Sequence, residues 1–433
     1  MQGVLAQLET TQWLDPEALR ELQFRQLGQL LAHAYRGIPF YRDRLAAAGY
    51  APDEAVSPEI WARIPHLTRE DIQREGESLR SPALPPHHGK VHAVTTSGST
   101  GKPIKTYGTT VTRFFWNVFT VREHLWHRRD LTGKLSAIRM LKGTDAAYPD
   151  GVALPNWGPA TAMLFDTGPA TLLSIRSTIK QQADWLRRQD PDYLITFPSN
   201  LIGLAAYCRD NGVKLAKLRE VRTLGEILHP EARDLCREVW GVKVADMYST
   251  QEAGYLALQC PEHEHYHAQA EGALVEILDD EGRPCGPGEV GRVVVTPLHN
   301  FAMPLIRYDQ GDYAEVGGAC DCGRGLPVLK QIVGRVRNLL TLPSGERSWP
   351  SLRISKIGEL FPVRQCQFVQ KSLDTIEVRL VTLRELTGEE EDKLRTMIQD
   401  QLGHPFELVF TYHDEIPPSA GGKFEDFKSE IAG

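Results

Sequence analysis

At 433 residues, with 41% of them apolar, the chain exceeds what one hydrophobic core serves, so two or more domains are expected. A formal charge of −7 with dispersed basic residues argues against nucleic acid as a partner, and the lack of any run of eighteen apolar residues or of a basic leader at Met1 argues for a cytoplasmic protein without a membrane partner. Seven cysteines, odd in number and unevenly spread, speak against a disulfide framework and for reduced thiols.

In chain order, apolar positions at helical spacing over residues 15–48 (Leu19, Leu22, Leu27, Leu30, Leu31, Ala34) predict amphipathic helices. Thr68 followed three residues later by Asp71 is a capping pattern for the next helix, and the Pro/His-rich stretch 81–89 reads as a loop. Residues 91–96 and 104–107 read as two strands of a hairpin around Thr95-Thr96-Ser97-Gly98-Ser99-Thr100-Gly101-Lys102-Pro103. Hydroxyls, two glycines and a lysine in that loop offer main-chain and side-chain donors to a polyphosphate. It is not a Walker A loop: Thr96 stands where the first glycine belongs, and Pro103 follows the lysine.

The aromatic run Phe114–Phe119 opens a helix whose rings either fill a core or wall a substrate pocket. Strand-like 135–140, 171–175 and 193–196 alternate with helical 179–188 and 201–209, which predicts α/β layers. Tyr193–Thr196 leads into a loop where Ser199 or Asn200 is placed to cap the following helix. Val221–Glu226 and Val242–Glu252 repeat the passage from strand to turn, and ligands in α/β sheets gather at such strand ends.

Cys260, His263, His265 and His267 form one cluster and Cys320 and Cys322 a second, the ligand types of a closed structural zinc site. Residues 271–282 and 288–296 predict a small β subdomain, followed by Leu305–Asp312 and by Gly334-Arg335. Beyond these the pattern becomes a helix-like 350–360, strands at 365–371 and 375–381, a charged helix at 387–402 and a strand at 406–412. That is a compact α+β unit. It closes on Ile416-Pro-Pro-Ser-Ala-Gly-Gly-Lys423-Phe, a lysine at the tip of a glycine loop.

Taken together, the loop at 95–103, Tyr248-Ser-Thr-Gln-Glu252, Arg307-Tyr-Asp-Gln-Gly-Asp312, Gly334-Arg335 and Gly-Gly-Lys423 resemble the adenylate-forming superfamily, and within it phenylacetate-CoA ligases and their relatives, over nearly the whole chain. The resemblance implies an adenylation domain at 1–335, made of layered sheets and helices plus a small β subdomain, and a small mobile α+β domain at 336–433 that carries the catalytic lysine. It implies ATP-dependent activation of a carboxylic acid, expected to be aromatic, with release of pyrophosphate and transfer to CoA. Ser97, Gly98, Ser99, Thr100, Gly101 and Lys102 would hold phosphates. Gly225, Glu226, Asp246 and Tyr248 would surround adenine, Asp312 would accept from the ribose hydroxyls, and Arg335 would contact ribose and phosphate. Glu252 would bind Mg²⁺, Phe197, Pro198 and Ser199 would border the acid, and Lys423 would reach the α-phosphate. Relatives with cysteine and histidine at this separation single out Cys260, His267, Cys320 and Cys322 for zinc, with His263 or His265 as the alternative to His267.

Two departures from the family pattern stand out. Gln251 replaces the usual Ser or Thr before the glutamate, and Arg337-Asn338 and Pro343–Pro350 replace the two aspartates and Arg-Gly pair against which the CoA tunnel forms. Transfer to an amine or carrier protein, activation of nitrite toward an arylamine, and a catalytically silent nucleotide-binding module therefore stand as alternatives. A homodimer is compatible with the sequence.

Overall fold

The computed structural model describes residues 1–52, 54–95, 103–141, 146–335, 338–348, 350, 352, 354–417 and 424–431. The chain opens with α1 (Gln2–Thr11), α2 (Pro16–Gly37) and α3 (Pro39–Ala47). Asp15 caps α2 by accepting from the amides of Glu17 and Ala18, and Pro16 occupies the first turn, where its missing N–H costs nothing. Leu27, Leu30, Leu31 and Ala34 bury one stripe of this helix in the largest core, each leucine contributing roughly 1.5–3 kcal/mol. α4 (Pro58–Arg63) and α5 (Arg69–Glu75) follow, and the expected Thr68/Asp71 capping box is present at the start of α5. Helix α1, for which the sequence reading makes no prediction, packs Val4, Leu5 and Leu8 into the core it shares with Val118 and Phe119.

Strands β1 (Val91–Thr95) and β2 (Lys105–Thr109) pair antiparallel from Val91↔Thr109 to Thr95↔Lys105 as a two-stranded ribbon of their own. Thr109 then caps α6 (Thr110–Trp126) in a second capping box with Thr112. The layered part runs β3 (Leu135–Arg139), β4 (Val152–Leu154), α7 (Pro159–Ala162), β5 (Ala170–Ser174), α8 (Ile179–Gln189), β6 (Tyr193–Thr196), α9 (Pro198–Asp210), β7 (Glu220–Leu224), α10 (Pro230–Trp240) and β8 (Lys243–Thr250). Strands β9 (Gly254–Gln259), β10 (Tyr266–Ala268), β11 (Ala273–Leu278), β12 (Val290–Pro297), β13 (Tyr308–Val316) and β14 (Val328–Arg335) come next.

Among the described residues these strands form one twelve-stranded sheet in the order β11-β12-β13-β14-β10-β9-β8-β7-β6-β3-β5-β4. Strands β5, β3, β6, β7 and β8 run parallel to one another, β4 pairs antiparallel with β5 at the edge, and from the β8–β9 pair onward the pairing is antiparallel. The expected small β subdomain is thus the antiparallel end of the main sheet. Helices α8, α9 and α10 bury Ala183, Leu201 and Leu235 against Leu173, Leu194, Val221 and Val244 on one face, while α6 brings Val118 and Phe119 against Met247 and Tyr255 on the other. Under α6 lies a buried ion network: Arg129 donates to Glu123 and Glu220, each at 2.6 Å, and Arg222 pairs with Glu123.

The chain ends in β15 (Leu340–Thr341), β16 (Arg347–Ser348), α11 (Ile354–Leu360), β17 (Val363–Gln370), β18 (Thr375–Thr382), α12 (Gly388–Leu402), β19 (Glu407–Tyr412) and β20 (Phe427–Ser429). A four-stranded sheet, β19-β18-β17-β20, packs Phe368, Ile376 and Val378 against Leu394 and Ile398 of α12 in a core of its own. No helix among the described residues is long and apolar enough to cross a membrane.

Candidate functional site

From β3 the chain moves to β5 on one side, and from β6 it moves to β7 on the other, so the crevice at the carboxyl ends of β3 and β6 is a topological switch point. Phe197, Pro198 and Ser199 stand at that end of β6, Gly225 and Glu226 follow β7, Tyr248 lies near the end of β8, and Gln251 and Glu252 follow it. Gly225 has φ +80°, a left-handed turn that a side chain would strain, and this lets the chain double back directly after β7.

The antiparallel half brings Asp312 and Arg335 to the same region as directly opposed residues of β13 and β14. The Arg335 Nε donates to one oxygen of Asp312 at 3.0 Å, and the Tyr248 hydroxyl donates to the other at 2.7 Å. Burial and the adjacent Asp312 charge push the Tyr248 phenol well up, so it remains a donor. With each oxygen held by one donor, the Asp312 carboxylate is fixed in orientation and keeps lone pairs for a further pair of hydroxyls. Asn338 ties this corner to the C-terminal part: its Oδ1 accepts from the Arg335 amide at 3.2 Å and its Nδ2 donates to the Phe427 carbonyl at 2.6 Å.

Glu252 completes the cluster. Burial first, then the neighbouring Asp312 charge, raises its pKa, while Arg335 and Arg69 pull it down. A carboxylate so placed is one that a divalent cation returns to its charged form, which fits the magnesium role implied by the resemblance. Arg69 carried no sequence signal for this site, and Tyr308 entered only as part of the motif from Arg307 to Asp312. Leu67 is bonded to the strand end, accepting from the Asp309 amide and donating to the Arg307 carbonyl, and this places Arg69 beside Tyr308 and Glu252. Ile104, one residue past Pro103, shares a core with Leu67 and Tyr308. Ser97, Gly98, Ser99, Thr100, Gly101, Lys102 and Lys423 lie outside the described residues.

Asp246 is buried, accepting from the Thr223 hydroxyl at 2.6 Å and the Tyr266 hydroxyl at 2.7 Å. Burial, partly offset by those two donors, pushes its carboxyl up to about 6. Ser199 and Asn200 do not cap α9. The helix starts at Pro198, whose fixed φ suits the first turn, and its cap position is Phe197 without a side-chain bond. The Ser199 amide instead donates to Glu226 Oε2 at 2.9 Å, and Asn200 donates to Gln182 and Thr196. Gln251 is exposed in the turn after β8.

The second cluster lies beyond β9. Donor atoms of Cys260, His267, Cys320 and Cys322 all fall within 4.8 Å of one another. The Cys260 and Cys320 sulfurs are 4.0 Å apart, and Cys322 Sγ is 3.4 Å from His267 Nε2. Tetrahedral zinc asks for about 3.8 Å between sulfurs and about 3.6 Å from sulfur to nitrogen, so the donor set fits the ion. His267 Nδ1 faces the Leu326 carbonyl at 3.5 Å, which leaves Nε2 as the ligand atom. His263 Nε2 bonds Asp321, and these two with Cys320 make an adjoining group of ligand types.

A family model described as the CapK C-terminal domain matches residues 351–430. The chain is 28% identical to a phenylacetate-coenzyme A ligase of Thermus thermophilus, over 96% of this chain and 97% of that protein. It is 24% identical to a phenylacetate-coenzyme A ligase of Pseudomonas putida, over 91% and 88%. Its fold matches the crystal structure of 2-hydroxyisobutyryl-CoA ligase in the postadenylation state with a TM-score of 0.73, at 20% identity, over 94% of this chain and 89% of that one.

Proposed function

Since the chain is a phenylacetate-CoA ligase-like member of the adenylate-forming superfamily, we propose that it is an AMP-forming acid-CoA ligase acting on an aromatic carboxylic acid. The observation that carries this reading is the convergence of Tyr248, Glu252, Asp312 and Arg335 from the parallel and antiparallel halves of one sheet. Asp312 accepts from the ribose hydroxyls, each charge-assisted bond contributing roughly 1.5–3 kcal/mol. Arg335 holds Asp312 and faces the ribose and phosphate side. Glu252 holds Mg²⁺, whose charge offsets that of the phosphates.

In the first half-reaction a carboxylate oxygen of the acid, held beside Phe197, Pro198 and Ser199, bonds to the α-phosphorus, and the bond to the bridging oxygen breaks to release pyrophosphate. Lys423 stabilises the charge that builds on the attacking and leaving oxygens. No side chain becomes covalently attached, so rate comes from positioning and charge. In the second, the CoA thiol attacks the acyl carbon and AMP leaves. Residues 1–335 act as the adenylation domain and 336–433 as the mobile carrier of Lys423, a division supported by the separate core around Phe368 and Ile398. Cys260, His267, Cys320 and Cys322 would hold a structural zinc, which would clamp the loop after β9 to the segment before β14.

The test is pyrophosphate release across a panel of acids, with and without CoA. Thioester formation on aryl acids is expected. A second reading keeps the adenylation and gives the activated group to an amine or a carrier protein, or activates nitrite toward an arylamine; the departures after Arg335 are what favour it. Release indifferent to CoA, with no thioester, selects that second reading.

A further inference from the structure

Residues 424–427 follow Lys423 directly and are gripped from two sides. Their own unit holds them through Gln367 Nε2, which donates to the Glu425 carbonyl at 2.9 Å, and the Phe368 amide, which donates to the Asp426 carbonyl at 2.8 Å. From the large domain comes a single carboxylate. Glu226 Oε1 accepts the Phe424 N–H at 2.8 Å, while Oε2 accepts the Ser199 N–H at 2.9 Å. Ser199 lies in the first turn of the thirteen-residue α9, where the helix dipole favours a negative charge and orients the glutamate. One side chain therefore joins the strand end that borders the acid to the residue next to the lysine.

Other contacts between the two parts do not reach this position. Arg209 pairs with Glu359 at 2.7 Å at an exposed site, and such pairs contribute little. The Arg335 amide donates to Asn338, which in turn secures Phe427, four residues from Lys423. His229 Nε2 stands 3.9 Å from Asp426.

We propose that Glu226 is a positioning residue for Lys423: its carboxylate latches the Phe424 amide when the C-terminal unit is set for adenylation and lets go when that unit turns for acyl transfer. This rests on the reading of Lys423 as the adenylation lysine. A contact to main-chain N–H is suited to the task, because it fixes the backbone on which the lysine pivots and leaves the ammonium for the phosphate.

The experiment is acid-dependent ATP–pyrophosphate exchange in Glu226→Ala, Glu226→Gln and Lys423→Ala, and in Glu226→Ala combined with Lys423→Ala, with the thermal midpoint of each variant as a check of folding. Losing a charge-assisted bond predicts that Glu226→Ala lowers kcat about 10- to 100-fold and shifts the KM for ATP less than about 3-fold. Glu226→Gln, which keeps one good acceptor, falls between. In the Lys423→Ala background the Glu226 substitution adds no further loss, since there is no lysine left to position. An equal further loss in that background, or an effect confined to the KM for ATP, overturns the latch. If Lys423→Ala by itself exchanges at the wild-type rate, the lysine reading falls; if it is inactive while Glu226→Ala is unaffected, the latch alone falls.

Discussion

Asp312 concentrates the chemistry at the residue scale, because both of its oxygens are already committed to fixed donors, Arg335 and Tyr248. Asp312→Ala removes the acceptor that Arg335 and Tyr248 share and that the ribose hydroxyls would use, so the KM for ATP is expected to rise about 10- to 100-fold in steady-state assays with the KM for the acid nearly unchanged. Asp246 gives a contrasting case. Its carboxyl, pushed up to about 6 by burial, favours the protonated form in the folded protein. A raised acid costs nothing at a pH below its ordinary value and progressively destabilises as the pH climbs through 6. Asp246→Asn should therefore be more stable than wild type at pH 7.5 relative to pH 4, by up to about 3 kcal/mol at 1.36 kcal/mol per unit, as read by urea unfolding at the two pH values. The sequence singled out both aspartates, but not that Thr223 and Tyr266 enclose one of them while Tyr248 and Arg335 hold the other.

Among the elements, what was legible was local. Thr68 with Asp71 announced α5, and the alternation of residues 91–96 and 104–107 announced the β1–β2 ribbon, because caps and strand periods are written within a few residues. Adjacency between distant elements was not legible. Nothing local tells that β14 inserts between β13 and β10, so the β subdomain was expected as a separate piece rather than as the end of the main sheet. The pairing of Arg129 with Glu123 and Glu220 was hidden for the same reason: α6 and β7 are ninety positions apart and meet only in the fold. Ser199 misled because a serine near a helix start usually caps it, whereas Pro198 moved the start and freed the amide for Glu226. The Cys/His cluster was readable in composition, and the fold supplies its geometry. Protein purified without added metal is expected to carry close to one zinc per chain, with chelation or Cys322→Ser lowering the melting temperature by several degrees through release of the loop after β9 from the segment before β14. Metal analysis and calorimetry together check this, and a zinc content near zero would contradict it.

For the whole molecule, the change of strand sense after β8 matters most, since it lets residues from 197 to 335 meet at one edge without long connecting loops. The C-terminal unit docks against that edge at a group of charges. Burial, together with Glu226 and Glu231, pushes Asp426 up to about 7, and His229 is the basic neighbour. In the docked form Asp426 holds a proton that it gives up at a much lower pH when solvated, so docking is most favoured below about pH 4 and loses that advantage as the pH rises toward 7. Replacing Asp426 by Asn should flatten the decline of the adenylation rate over that interval, measured as pyrophosphate exchange against pH. The β1–β2 ribbon behaves in yet another way, since it shares no ladder with the twelve-stranded sheet. Its amides can trade hydrogen for deuterium by a small local opening, while those of Leu194 and Val221 in β6 and β7 must await a much larger one. Isotope uptake at Val91–Thr95 and Lys105–Thr109 is thus expected to be fast in the apo enzyme and to slow selectively when ATP is added, which makes this hairpin a built-in occupancy gauge.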